Sequence, residues 1–194
     1  IMAIPIINVS ILNGSNGFRL DGEPGFEFGR SGRSVSGAGD INGDGFDDVM
    51  VGAYYAYPRS YPEGHAYVVF GKASGFNAVE SLSDLDGENG FHFSDRSFSS
   101  PFLVSDAGDM NGDGFDDVII GAKGFYDYYA EPKDFPGAMY VVFGRNSGFA
   151  ADTNLSALDG SDGFRLDVGE TQSVSVSNAG DVNGDGFDDV IVGA

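Results

Sequence analysis

The sequence predicts an all-β fold of β-propeller blades, each of four antiparallel strands, with about three repeats along the chain. Three observations carry this. The segment from Asn42 to Val49, Asn-Gly-Asp-Gly-Phe-Asp-Asp-Val, recurs unchanged at 111–118 and 183–190. An Ala-Gly-Asp precedes each copy, and its Asp (Asp40, Asp109, Asp181) repeats at spacings of 69 and 72 residues. Between these marks lie short apolar, β-branched runs and abundant glycine, 31 of 194 residues, with no collagen-like period of three. Repetition of this kind is read before any local pattern, because it sets the architecture.

Each period offers four strand-like pieces. The first is Ser-Val-Ser-like, at Ser34–Ser36, Leu103–Ser105 and Ser173–Ser177. The second follows the Asp-rich segment, at Val49–Gly52, Val118–Gly121 and Val190–Gly193. It is continuously apolar, as expected of a strand covered on both faces. The third is Tyr67-Val-Val-Phe-Gly71, repeated at 140–144. The fourth opens on Gly-Phe, at Gly17-Phe18, Gly90-Phe91 and Gly163-Phe164, each behind a Leu-x-Gly turn. A capped 3.6-residue apolar pattern is missing, so few helices are expected. Four antiparallel strands repeated radially describe a propeller blade. The rivals are a parallel β-helix, whose turns are shorter than this period, and a string of small separate β-domains.

The whole chain, 1–194, reads as one such region, with repeats at approximately 17–89, 90–162 and 163–194. Residues 1–16 could complete the last blade, Ile4–Val9 supplying a strand of the third type. Three repeats do not close a ring of the usual four to eight blades. Either the chain is part of a longer propeller, or copies of it join end to end as a homo-oligomer, each sealing the other's open edge. The chain does not begin with Met, which suits a processed chain or a fragment. Ile1–Val9 is apolar but short and lacks a basic segment, so it is not read as a signal peptide.

Charge narrows the partners. The formal net charge is −20 and the isoelectric point about 4.1. That opposes binding to nucleic acid, which needs a basic face, and to anionic membrane surfaces. It favours cations. Each Asp-rich segment holds four Asp, the first being Asp40, Asp44, Asp47 and Asp48. Cysteine is absent, so disulfides and thiolate zinc sites are excluded. No apolar run reaches the length of a transmembrane helix.

The Asp-rich segments read as calcium loops. In the first, oxygen side chains fall at loop positions 1, 3, 5 and 9 (Asp40, Asn42, Asp44, Asp48), and the Phe46 carbonyl is available at position 7. The same roles fall on Asp109, Asn111, Asp113, Phe115 and Asp117, and again on Asp181, Asn183, Asp185, Phe187 and Asp189. Hard cations such as Ca²⁺ take six to eight oxygens, carboxylate and carbonyl together. Alternate spacing lets a curled backbone aim every second side chain inward, and Gly43 and Gly45 allow the positive φ that such a curl needs. Asp47, Asp116 and Asp188, at position 8, are expected to point away. An EF-hand would need Glu at position 12 and flanking helices. Position 12 here is Val51, Ile120 and Val192, inside the apolar strand. The plain alternative is a polar hairpin, since Asn-Gly and Asp-Gly favour tight turns. A hairpin needs only one such dipeptide, however, and crowding several carboxylates without a cation costs repulsion. Magnesium suits the loops less well, because it keeps several waters.

At these residues the sequence resembles the FG-GAP repeats of the integrin α-chain propeller and their bacterial relatives. The family's Phe-Gly and Gly-Ala-Pro flank a calcium loop of this form. Here Phe28-Gly29 precedes the first loop and Gly52-Ala53 follows it, with Tyr54 in the place of Pro. The second repeat has Phe93-Ser94 and Gly121-Ala122-Lys123, and the third ends on Gly193-Ala194. The resemblance implies a seven-bladed ring in the complete domain and a bound calcium ion at each loop.

A partner surface is expected on the face opposite the loops. There the connections between second and third strands, Ala53–Ala66 and Lys123–Ala138, hold Tyr54, Tyr55, Tyr57, Tyr61, Tyr126, Tyr128 and Tyr129, seven of the nine tyrosines. Tyrosine joins apolar area to a hydroxyl and suits recognition of protein or carbohydrate. It also suits simple packing of the loops on themselves. The family resemblance implies partner recognition on that face.

No catalytic constellation is legible. His65 and His92 stand in different strands without a local acid or nucleophile pattern, and no nucleophile elbow, phosphate loop or zinc-protease motif occurs. The chain is therefore expected not to be an enzyme but a calcium-binding adhesion or recognition module. The alternatives are the propeller portion of an extracellular hydrolase, as in some relatives, and a purely structural scaffold. Calcium loops suit a millimolar-calcium setting, which favours an extracellular, cell-surface or periplasmic location.

Overall fold

A computed structural model describes residues 8–22, 31–55, 63–73, 75–95, 102–126, 134–146, 148–169 and 174–194. In chain order its strands are β1 (Arg19–Asp21), β2 (Ser34–Gly39), β3 (Asp48–Tyr55), β4 (Glu63–Val69), β5 (Val79–Ser81), β6 (Gly90–Asp95) and β7 (Phe102–Gly108). They continue as β8 (Asp117–Ala122), β9 (Phe125–Tyr126), β10 (Asp134–Phe135), β11 (Gly137–Val142), β12 (Asp152–Asn154), β13 (Gly163–Gly169), β14 (Ser175–Gly180) and β15 (Asp189–Gly193). Helical structure among the described residues is confined to three single 3₁₀ turns, at Val9–Ile11, Leu82–Asp84 and Leu155–Ala157.

The strands form blades, as the repeat predicts. β2, β3, β4 and β6 make one antiparallel sheet, and β7, β8, β11 and β13 make the next, each wound from the inside outward. β14 and β15 pair as the first two strands of a third blade. β1 repeats the sequence of β13, Gly-Phe-Arg-Leu-Asp, and stands where the outer strand of a preceding blade belongs. A short parallel strand ties neighbours together. On the way from its third to its fourth strand, each repeat sends three residues across to the blade before it. β5 thus lies on β1, and β12 lies on β6.

The apolar second and third strands of the second blade are buried on both faces because that blade is sandwiched between the first and the third. In β8 and β11 every residue is buried. Alternate side chains go opposite ways, as strand geometry requires. Val118, Ile120, Tyr140 and Val142 enter one core with Met50, Val68, Phe91 and Phe93 of the preceding blade. Ile119, Met139 and Val141 enter another with Val174 and Val176 of the following one. β15 has only β14 beside it among the described residues, and Ile191 stays 61% exposed.

The blade boundaries carry aromatic and polar contacts as well. The Phe149 ring stacks on Phe91 with centroids 4.3 Å apart, and the Arg145 guanidinium lies 4.7 Å from the Phe149 centroid. The preceding boundary repeats this with Phe76 on Phe18 at 3.9 Å and Lys72 at 4.5 Å. Stacked rings capped by a cation add attraction beyond buried area. The inner strands touch through side chains, the Val104 amide donating to Ser34 Oγ at 3.1 Å and Asn178 Nδ2 to Asp106 Oδ2 at 3.0 Å.

One expectation is corrected at the far end of the blades. Tyr54, Tyr55 and Tyr126 belong to strands, not loops. The β3–β4 ladder continues through Tyr54 opposite Gly64 and Tyr55 opposite Glu63, and Tyr126 pairs with Asp134. The hairpins extend because backbone pairing satisfies the polar groups of a long connection that would otherwise need solvent or side-chain partners. Tyr57, Tyr61, Tyr128 and Tyr129 lie outside the described residues, as do Phe28-Gly29 and residues 1–7. Val9, the last residue of the segment that could have supplied a third-type strand, opens a 3₁₀ turn instead.

Candidate metal centre

Each Asp-rich loop connects the first strand of a blade to the second, so the three sit at the same end of successive blades. Their curl comes from side chains that accept from the loop's own backbone. In the first, Asp40 Oδ1 accepts from the Asp44 amide and Oδ2 from the Gly45 amide, both at 2.9 Å. Asn42 Oδ1 also accepts from Asp44, and Asp44 Oδ1 accepts from Phe46, again at 2.9 Å. The second loop repeats the set through Asp109, Asn111 and Asp113. The third repeats it through Asp181, Asn183 and Asp185. Gly43 and Gly45 take φ of 71° and 90°, left-handed values that a side chain resists.

The position-9 carboxylates are placed differently. Asp48 is 1% exposed and Asp117 fully buried. Asp48 Oδ2 accepts from the Ile41 amide at 3.1 Å and Oδ1 from the Gly71 amide at 2.7 Å. Asp117 does the same with Met110 and Gly144, both at 2.9 Å. The carboxylate thus fastens the loop's second residue to the end of the third strand. Burial pushes the Asp48 carboxyl up to about 7, against the pull of the donating amides, and the charges of Asp44 and Asp40 add to the rise. Burial likewise takes Asp117 up to about 6, with Asp113 and Asp109 adding. Asp181, in the exposed third loop, is held below the usual carboxylate range, first by the donating Gly186 amide.

The donor set fits a hard divalent cation. Three side-chain oxygens alternate along a backbone already curled by its glycines, beside a buried carboxylate whose charge lacks a cationic partner in the loop. Among the described residues no three acidic or imidazole groups close into a ready-made cage, since the loop oxygens face backbone amides. A carboxylate oxygen holding one N–H keeps a lone pair for an ion; Asp109 Oδ1 and Asp181 Oδ1 each accept two amides, so in those loops Oδ2, with one, is the oxygen that keeps it. The residues that would hold the ion are Asp40, Asn42, Asp44, the Phe46 carbonyl and Asp48, with their equivalents in the other loops. The ion would supply charge neutralisation and a cross-link within the turn.

Sequence reasoning did not find what the position-8 residues touch. The Asp40 amide donates to Asp116 Oδ2 of the next blade at 2.8 Å, and the Asp109 amide to Asp188 Oδ2 at 3.1 Å. The repeat itself was the available signal, because the same Asp recurs at position 8 of all three loops outside the alternating set. Sequence reasoning also separated the two histidines. β4 and β6 are adjacent, so the His65 and His92 rings come within 5.5 Å, and Asp152 of β12 lies 3.4 Å from His92 Nε2. Asp152 also accepts from Ser94 Oγ at 2.6 Å, so it bridges serine and histidine instead of leaving the imidazole to activate the hydroxyl.

Four-stranded sheets stacked face to face, with Asp-rich turns aligned at one end, define a β-propeller repeat protein. The FG-GAP repeat model matches residues 31–69 and 104–142, which span the first three strands of each complete blade. The chain is an FG-GAP repeat protein that resembles the integrin α-chain β-propeller. Over 160 residues, 81% of the chain, it is 31% identical to integrin alpha-4 of Xenopus laevis. Over 119 residues, 61% of the chain, it is 33% identical to integrin alpha-V of Gallus gallus. Over 175 residues, 87% of the chain, it is 31% identical to phosphatidylinositol-glycan-specific phospholipase D of Bos taurus. The chain spans 14%, 11% and 19% of those proteins' own lengths. Among the described residues no helix is long and apolar enough to cross a membrane.

Proposed function

We propose that this chain is a calcium-binding propeller module for adhesion or recognition, acting outside the cell or at its surface. The observation that carries the calcium reading is the threefold loop, with the same oxygens at the same positions and the same backbone curl each time. Each ion neutralises its carboxylates and ties the turn between two inner strands. A rigid stack of blades then presents the opposite face, where the β3–β4 and β8–β11 connections carry the tyrosines, to a protein or carbohydrate. Similarity to integrin α chains supports the recognition role. The test is binding of the chain to immobilised glycans and extracellular-matrix proteins, in calcium and in chelator. Partner binding lost in Tyr57→Ala, Tyr61→Ala, Tyr128→Ala and Tyr129→Ala variants of unchanged melting midpoint supports the reading. Unaltered binding by all four overturns the placement of the surface.

A second reading has its own observation. The similarity to phosphatidylinositol-glycan-specific phospholipase D covers 87% of this chain, so the blades could be the propeller portion of a hydrolase. Phosphodiester hydrolysis by the complete protein, retained when the four tyrosines are replaced, would favour that alternative.

A further inference from the structure

We propose that Asp116 and Asp188 are positioning residues that couple each calcium loop to the loop of the blade before it. This rests on the calcium reading above. The contact between loops is two-way. Asp116 Oδ2 accepts from the Asp40 amide at 2.8 Å, and the Asp116 amide faces the Asp40 carbonyl at 3.5 Å. Asp188 Oδ2 accepts from the Asp109 amide at 3.1 Å, and the Asp188 amide donates to the Asp109 carbonyl at 3.2 Å. In both cases position 8 of one loop grips position 1 of the preceding loop by both of its backbone groups.

Packing reinforces the grip. The ring of Phe115, at position 7, covers Gly43 at position 4 of the preceding loop, and Phe187 covers Gly112 in the same way; a Cβ on either glycine would run into the ring. Gly39 and Gly108, one residue ahead of position 1, lie against the Asp116 and Asp188 carboxylates, where a Cβ would also collide. Their φ values of 59° and 64° turn the chain so that the next amide points at the carboxylate. The Arg145 amide completes the seam by donating to the Ile41 carbonyl at 2.9 Å.

The two halves of a loop therefore have different duties. Positions 1 to 4 are held from outside by the following blade, while positions 7 and 8 do the holding for the preceding one. Asp40, whose carboxylate accepts from the Asp44 and Gly45 amides, has its backbone set by Asp116. An ion that orders positions 7 to 9 of the second loop fixes Asp116 and so pre-organises Asp40 for its own ion. Holding a ligand's backbone in place before binding raises affinity by removing that ordering cost. The coupling is reciprocal by linkage.

Asp47 provides an internal control. It is the position-8 residue of the first loop and is exposed, with no preceding loop among the described residues. The experiment is calorimetric calcium titration in an Asp185→Ala background, which leaves the first two loops, together with hydrogen exchange at the Asp40 amide in chelator. Asp116→Ala weakens one site about 5- to 10-fold, the scale of one ordinary net hydrogen bond. It also speeds Asp40 exchange, and Asp116→Asn, which keeps an acceptor, restores part of both. Asp47→Ala removes the same charge and leaves both sites within about twofold of the background. Equal weakening by Asp116→Ala and Asp47→Ala, or unchanged Asp40 exchange, overturns the coupling alone. No calcium uptake by the unaltered chain overturns the calcium reading and the coupling with it, while Asp40 exchange in chelator still reports whether the grip exists.

Discussion

The phenol of Tyr140 donates a 2.6 Å hydrogen bond to Oδ2 of Asp95, across the boundary between the two complete blades, and both residues are at most 1% exposed. A buried carboxylate needs donors, so this contact bears on stability and on the register of one blade against the next. Tyr140→Phe keeps the ring and removes one donor. The expected loss is about 1–3 kcal/mol, read as a lower urea midpoint with unchanged slope.

The same phenol makes an alkaline prediction. Burial, then the hydrogen bond and charge of Asp95, raise the Tyr140 pKa well above its ordinary value. A raised folded pKa means that the folded state holds the proton more tightly. The stabilisation is complete below the unfolded pKa of about 10 and is lost as pH rises from there toward the folded value. Stability should therefore fall above pH ~10 by more in the parent chain than in Tyr140→Phe, as measured by urea unfolding at stepped pH.

Gly43 and Gly45 separate two costs within one loop. Both have left-handed φ, but a Cβ on Gly43 meets the Phe115 ring of the next blade, whereas nothing stands within 4 Å of one on Gly45. Gly45→Ala should cost roughly 1–2 kcal/mol, the backbone strain alone. Gly43→Ala should cost more, and adding Phe115→Ala should recover part of the excess. A double-mutant cycle by chemical denaturation measures that interaction.

Ile119 and Ile191 occupy equivalent places in β8 and β15 with opposite exposure, 0% and 61%. Ile119→Ala opens a cavity between blades and should cost about 2–5 kcal/mol. Ile191→Ala should fall within about 0.5 kcal/mol of neutral. Thermal melts of the two variants side by side check the contrast.

The fold was legible because the repeat is internal. Three copies of one segment fixed the period, and the β-branched run from Val118 to Gly121 showed a strand covered on both faces. The exchange strands were not legible, since Val79–Ser81 and Asp152–Asn154 are too short and mixed in character to alternate, and only pairing with β1 and β6 makes them strands. The tight curl of the loops could be read from spacing, because Gly43 and Gly45 and the alternating Asx side chains that accept from the loop's own amides are local features. What the loops do to one another could not, since Asp116 and Asp40 lie 76 residues apart and meet only when the blades stack. The closeness of His65 to His92 was hidden for the same reason, being a matter of sheet order.

Thermal unfolding in about 1 mM calcium against chelator, with magnesium as control, tests whether the three Asp loops hold structural calcium. A site of ~10 μM affinity at ~1 mM free ion adds roughly 2.7 kcal/mol, a large part of a typical net stability of about 5–15 kcal/mol. The expected result is a rise in melting midpoint that is specific to calcium and shrinks stepwise in Asp44→Ala, Asp113→Ala and Asp185→Ala. Equal midpoints in calcium and chelator, with no metal found in the purified chain, would contradict it.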